Sequence, residues 1–212
     1  MTTKKIGLVL SHFFVREGEE KKFNWISSAV NKYSELNVDF FYVLSGHGVY
    51  PPDSIIKKFD KIIWQDSIKE EELGRGHPHF CIKGFKACKD ASCEMTLKNR
   101  AYDYVTSNKF FDKNLVVSEQ TSLNSRIIGD LFLYGETDYL LNWWSRNDWD
   151  YSVDGLNNLY RNMPDDFLNK AVYANPEYLG WKTFEDDSNC YWGHHKNYEW
   201  YGGDGINDID IT

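Results

Sequence analysis

No two of the four cysteines stand as CxxC. Cys81, Cys88, Cys93 and Cys190 are scattered, which argues against a disulfide framework or a zinc ribbon. Free thiols in a reducing cytoplasm are the reading this spacing favours. A surplus of positive charge is also missing. Lys and Arg number 24 against 32 acids, for a net charge of −8 and a pI near 5.2, which excludes a broad basic face for nucleic acid. No stretch approaches the roughly 20 apolar residues of a membrane span. The early run "IGLVL" is too short for a signal h-region and reads as a first buried strand. Internal repeats and low-complexity linkers are absent. So are the GxGxxG and GxxxxGK[ST] fingerprints, so a bound nucleotide needs something other than a glycine cradle for its phosphates.

What is present suits one well-buried α/β domain: 212 residues, 42% hydrophobic and 17% aromatic. "KIGLVLSHFF" reads as a strand. Phe23, Ile26, Val30 and Tyr33 then mark one helical face, behind an acidic opening of Glu17, Glu19 and Glu20. "NVDFFYVLSG" is a second strand stopped by Gly46 and Gly48, "PPDSIIKKF" a short helix, and "DKIIWQD" a third strand. This alternation predicts parallel pairing through right-handed crossovers. A charged loop, "SIKEEELGRGHPHF", leads to a helix over "CIKGFKACKDA". Next come a strand in "CEMTLKNRAYDYV", two more in "NKFFDKNLVVSEQ" and "SRIIGDLFLYGET", and a helix in "DYLLNWWSRN" capped by Thr137 or Asp138. The expected fold is α/β, with a mostly parallel mixed central sheet flanked by helices. One domain spans 1–205, with a nucleotide-binding half to about 105 and an acceptor half after it. Residues 206–212 form an acidic tail or a lead-in to a further domain.

In open α/β sheets, ligands sit beyond the carboxyl ends of the parallel strands. Those ends carry Ser11, His12 and Phe13, then Ser45 and His47, then Gln65 and Asp66, and finally "KNRAYD". Rings for a base, a carboxylate for ring N–H or ribose groups and cations for phosphates suit a nucleotide. Lys98 and Arg100 could contact phosphate, with Asp103 as a ligand of Mg²⁺ or Mn²⁺. The plain alternative is an exposed ion pair after an edge strand.

The order of "LKNRAYDYV", "IIGDLFLYGETDYLLNWW" and "NPEYLGW" resembles small GT-A-type glycosyltransferases of surface-polysaccharide synthesis. It is also similar to the glycosyltransferase domains that large algal viruses encode for capsid glycans. Those enzymes show a strand ending Lys-x-Arg-[Ser/Thr]-Asp, an Asp-aromatic-x-x-Gly strand leading into a helix, and a Pro-Glu helix start. Here Asp103 lies three positions after Arg100 rather than two, a difference that a kink at Ala101–Tyr102 can absorb. The literal Asp-x-Asp runs, Asp148/Asp150 and Asp208/Asp210, follow no buried strand and read as loop or tail acids. The resemblance implies a Rossmann-like GT-A fold and a nucleotide-sugar donor, most often UDP-linked, such as UDP-glucose. A glycan or glycoprotein hydroxyl is the acceptor, and Mn²⁺ or Mg²⁺ the cofactor. It implies that Asp66 reads uracil or ribose, that Arg75 reaches the nucleotide and diphosphate, and that His194, beside His195, completes the metal shell.

An inverting transfer also needs a base for the acceptor hydroxyl. Glu177 after Pro176 is the first candidate. Asp130, which interrupts the apolar run "IIGDLF", is the second, for base or for donor-sugar hydroxyls. The plain reading of Glu177 is an acid favoured by a helix N-terminus. Trp143, Trp144, Trp149, Trp181, Trp192 and Trp200 supply core packing, with one or two lining an acceptor groove. Two other classes compete. His77, His79 and Cys81 at period two, joined by Cys190 and His194 or His195, would make a zinc hydrolase. The aromatics alone would make a non-catalytic carbohydrate-binding domain, against which the strand–helix alternation counts.

Overall fold

The computed structural model describes residues 4–66, 76–122, 125–146, 164–184 and 206–207. Its centre is an eight-stranded sheet. The first unit is β1 (Ile6–Val15), α1 (Lys22–Ser34), β2 (Phe40–Gly48), α2 (Asp53–Ile56) and β3 (Lys61–Gln65). β1 pairs parallel with β2, and β2 with β3, as the alternation predicts. Helix α1 buries Phe23, Ile26, Val30 and Tyr33, and Asn37, at φ 55°, turns the chain out beyond it. The acids expected in its first turn lie before it, where Glu19 pairs with Lys22 at 2.6 Å. Gly46 does not stop β2, which runs on to Gly48.

Helix α3 (Gly76–Asp90) starts earlier than expected and takes in "GHPHF". It crosses back to β4 (Met95–Arg100), which lies parallel to β1 on the side away from β2. A turn at Ala101–Tyr102 then separates β4 from β5 (Asp103–Tyr104). β6 (Leu115–Ser122) and β7 (Ser125–Glu136) form an antiparallel pair, and β7 lies antiparallel to β4. Helix α4 (Thr137–Trp144) follows, with Glu136 rather than Thr137 or Asp138 as its N-cap. After α5 (Phe167–Lys170), β8 (Ala171–Ala174) runs parallel to β6. Then come α6 (Pro176–Leu179) and β9 (Lys182–Thr183), which pairs with β5 in a small second sheet. β10 (Ile206–Asn207) pairs antiparallel with β8, so the large sheet runs in the order β10-β8-β6-β7-β4-β1-β2-β3. This is the expected α/β architecture, a mostly parallel mixed sheet with flanking helices.

The alternation of each strand splits the interior into two cores. Leu8, Leu10, Leu97, Phe132 and Tyr134 face the α1 side. Val9, Val43, Val117 and Leu133 meet Phe85, Trp143 and Trp144 on the α3–α4 side. Helix α3 lies close to the sheet because Gly84 rests on Val9, where a Cβ would collide. Each fully buried Leu, Val or Phe contributes about 1.5–3 kcal/mol, so both cores clamp the central strands. Among the described residues, no helix is long and apolar enough to cross a membrane.

Candidate active site

The strand order contains a reversal. The chain adds β2 and β3 on one side of β1, then returns to place β4 on the other. A crevice opens beyond the carboxyl ends of the strands at such a switch point, and ligands of α/β sheets bind there. In this fold the switch point lies between β1 and β4, where Ser11 stands opposite Arg100. Along β2 the register slips: Leu10 pairs with Leu44 and Phe13 with Gly46, so Ser11 and His12 together oppose Ser45. A bulge of this kind redirects the strand end. Ser11 is fully buried, and its Oγ lies 3.2 Å from Cys81 Sγ in α3. Ser45 is also buried, and its Oγ makes no hydrogen bond among the described residues.

Arg100 and Asp103 dominate the β4 end. The turn at Ala101–Tyr102 swings Asp103 back onto the guanidinium, with Nε donating to Oδ2 at 2.6 Å and Nη2 to Oδ1 at 3.3 Å. Backbone pairing of Asp103 with Thr183 fixes the position of this residue in β5. The guanidinium carbon lies 4.9 Å from the Tyr102 ring centre and 5.9 Å from that of Trp181. Beneath the pair, the Arg100 N–H donates to Asn99 Oδ1 at 2.9 Å, and Asn99 Nδ2 donates to the Tyr33 hydroxyl at 2.9 Å. Burial pushes the Tyr33 hydroxyl well above its ordinary pKa, so it stays a neutral partner.

This geometry corrects two expectations. Asp103 has no accessible surface and both its oxygens face Arg100, which does not fit the role of an open metal ligand. Among the described residues, no group of three His, Cys, Asp or Glu is placed to hold a metal. The plain alternative fails as well, because the pair is buried and β4 is an interior strand. Lys98 is the second correction. It is fully buried on the α3–α4 side, with Nζ 5.8 Å from the Trp144 ring centre, and is not at the strand tip.

The other candidates are spread along the same edge of the sheet. Asp66 is exposed just past β3. Glu177 is exposed in the first turn of α6, behind the N-cap Asn175, whose Oδ1 accepts from Tyr178 N at 2.8 Å. Asp130 lies in the half of β7 that extends past Leu133, the partner of Lys98, towards the Arg100 end. His12 and Phe13 continue β1, but their side chains and that of Asp130 lie outside the described part. Arg75, Asp148, Asp150, Asp208, Asp210, Trp149, Trp192, Trp200, Cys190, His194 and His195 lie outside the described residues altogether.

No protein-family model and no curated protein matches the chain. Its path is similar to that of a glycosyltransferase. That structure, of a glycosyltransferase involved in the glycosylation of the major capsid of PBCV-1, aligns over 81% of this chain and 82% of its own, at 13% identity and a TM-score of 0.47. A 4-diphosphocytidyl-2C-methyl-D-erythritol synthase from Anaerococcus prevotii aligns over 68% of this chain and 76% of its own, at 13% identity and a TM-score of 0.43. Both are distant likenesses of chain path, and the chemistry of the site rests on its own geometry.

Two competing readings lose their footing in that geometry. His77, His79 and Cys81 lie on helix α3, not on a strand, so the period of two that joined them does not put them on one face. His79 is exposed while Cys81 is fully buried, so they do not share a site. Trp143 and Trp144 are core residues, and Trp181 is spent on Arg100. Among the described residues the exposed large apolar side chain is Tyr50, which offers no aromatic platform for a carbohydrate-binding face. Asn99 and Tyr33 were not legible as site residues, since one looks like strand filler and the other like helix core. A 440 Å³ cavity lies at the opposite edge of the sheet, between Ser92–Met95 and Glu136–Asp138, away from the switch point.

Proposed function

We propose that the chain is a glycosyltransferase that moves a sugar from a nucleotide-sugar donor, UDP-linked as in UDP-glucose, to a hydroxyl of a glycan or glycoprotein. The observation that supports this most is the switch point, where the β1 bulge at Ser11–His12 faces a preorganised Arg100. Arg100, whose side chain keeps only 7% of its surface exposed, is held by Asp103, Tyr102 and Trp181 before any ligand arrives, so a phosphate oxygen would meet it at that exposed end with little loss of side-chain entropy. Because Asp103 balances its charge, Arg100 supplies orientation more than net positive charge. The remaining neutralisation of the diphosphate falls to Arg75. A manganese or magnesium ion does not fit Asp103 as arranged, so no step is routed through one.

The two ends of the edge divide the work. Asp66, beyond β3, reads the uracil or ribose, and Glu177, beyond β8, serves the acceptor. Glu177 takes the proton of the acceptor hydroxyl as its oxygen attacks the anomeric carbon, and the nucleoside diphosphate departs. Asp130 is the second candidate base.

The test is UDP release from a panel of UDP-sugars with glycan acceptors, with and without Mn²⁺. Release that depends on acceptor supports the proposal, and Glu177→Gln then lowers transfer by about 100-fold or more while keeping donor affinity. Absence of binding by every nucleotide-sugar tried, under both conditions, overturns it.

A further inference from the structure

The turn that ends α3 is built around two cysteines. Ser92 takes the left-handed conformation at φ 60°. Its N–H donates to Lys89 O at 2.8 Å, and the N–H of Cys93 donates to Cys88 O at 2.9 Å. These are the two backbone bonds of a Schellman helix stop, whose first and sixth residues carry the side-chain contact that seals the helix end. Here those residues are Cys88 and Cys93, which pack in the same buried cluster. Two apolar side chains would seal the turn equally well, so the motif itself does not call for sulfur at both places.

The two sulfurs differ in access. Cys88 has no accessible surface, and its Sγ rests against Gly7, where any Cβ would collide with it. Cys93 is buried as well, but the 5% of its surface that remains lines the 440 Å³ cavity together with Lys4, Lys89, Ser92 and Glu94. They differ in acidity too. The hydrogen bond from Cys88, helped by the charge of Lys5, holds the Cys93 thiol below its ordinary pKa. The same bond, with burial, pushes Cys88 up.

We propose that Cys88 and Cys93 form a thiol–disulfide exchange site, with Cys93 as the attacking sulfur, Cys88 as the resolving one, and a low-molecular-weight disulfide such as oxidised glutathione as the substrate. The Cys93 thiolate attacks one sulfur of that disulfide, forming a mixed disulfide and expelling a thiolate, which takes up the proton that Cys93 lost. Cys88 then gives up its proton and attacks Cys93 Sγ, which breaks the mixed disulfide and releases the second thiol. The protein dithiol is oxidised by two electrons and the small disulfide is reduced to two thiols. A disulfide spans Cα atoms roughly 4.4–6.8 Å apart, and the 2.9 Å bond from Cys93 N to Cys88 O draws these two positions together.

The full chain is incubated in its native state with excess oxidised glutathione, free thiols are blocked, and the peptides are mapped by mass spectrometry. The expected product in the wild type is a Cys88–Cys93 cross-link with Cys81 still free. Cys88→Ser accumulates one glutathione on Cys93, and Cys93→Ser leaves Cys88 unmodified. Cys88→Ala, which keeps an apolar seal, repeats the trapping if the serine disturbs the helix end. Recovery of both wild-type thiols as free, or absence of the adduct on Cys93 in both Cys88 variants, shows the pair to be only a helix seal and overturns the proposal.

Discussion

Arg100 and Asp103 meet side-on, three residues apart, at 2.6 and 3.3 Å, with the carboxylate wholly enclosed. A bond made so far from water stiffens the end of β4 and fixes what it presents at the switch point. The energetics of such a pair are asymmetric. The pair itself contributes little net stability, while one partner left alone is costly.

Asp103→Leu and Arg100→Met each lower unfolding free energy by about 3–5 kcal/mol, because each leaves the other partner charged and buried. Joint replacement, Arg100→Met with Asp103→Leu, recovers most of that loss. Urea denaturation of the two single variants and the double variant checks this through the coupling in the cycle. A loss in the double variant equal to the sum of the two single losses would mean that the pair is not mutually dependent.

Tyr33→Phe leaves the buried Asn99 amide without its acceptor and costs about 1–3 kcal/mol. The loss is read in the same denaturation experiment. It should come with faster hydrogen exchange at the Arg100 amide, which Asn99 holds.

His47 stacks flat on Phe80, with ring centres 5.6 Å apart and planes 2° from parallel. Burial lowers its pKa below the ordinary 6.5, so the folded state prefers the neutral ring. By linkage, its contribution is complete above 6.5, begins to fall as pH drops below that value, and is gone once pH has passed through the folded pKa. Stability measured at pH 7 and again near pH 5 should show a smaller difference in His47→Phe than in the wild type.

Gly84→Ala forces a methyl group into Val9 and drives α3 away from the sheet. A loss of about 1–3 kcal/mol is expected, measured as a lowered thermal midpoint. Glu177→Gln, on an exposed first turn, should change stability by no more than about 0.5 kcal/mol, so any fall in transfer activity reports chemistry and not unfolding.

Much of the scaffold was legible because it depends on period and order. The face Phe23–Ile26–Val30–Tyr33 and the parallel β1–β2–β3 unit follow from side-chain spacing and from alternation of strand with helix. The kink expected at Ala101–Tyr102 is present as a turn. What period does not encode is which partner a charged residue finds. Lys98 and Arg100 lie on the same side of β4 by alternation, yet one is buried beside Trp144 while the other is clasped by a residue beyond the turn. The clasp depends on β9, about 80 residues later, reaching back to β5, and no local pattern announces that pairing. For the same reason Trp181 read as a packing or acceptor residue, when its ring lies over Arg100.

Hydrogen exchange with and without saturating UDP-glucose, read by mass spectrometry in the presence and absence of Mn²⁺, tests the central claim most directly. A donor seated between β1 and β4 should slow exchange in the segments around Ser11–Phe13 and Asn99–Asp103 and leave the Ser92–Met95 and Glu136–Asp138 segments unchanged. Protection confined to those latter segments, or none anywhere under either condition, contradicts a nucleotide-sugar site at this switch point.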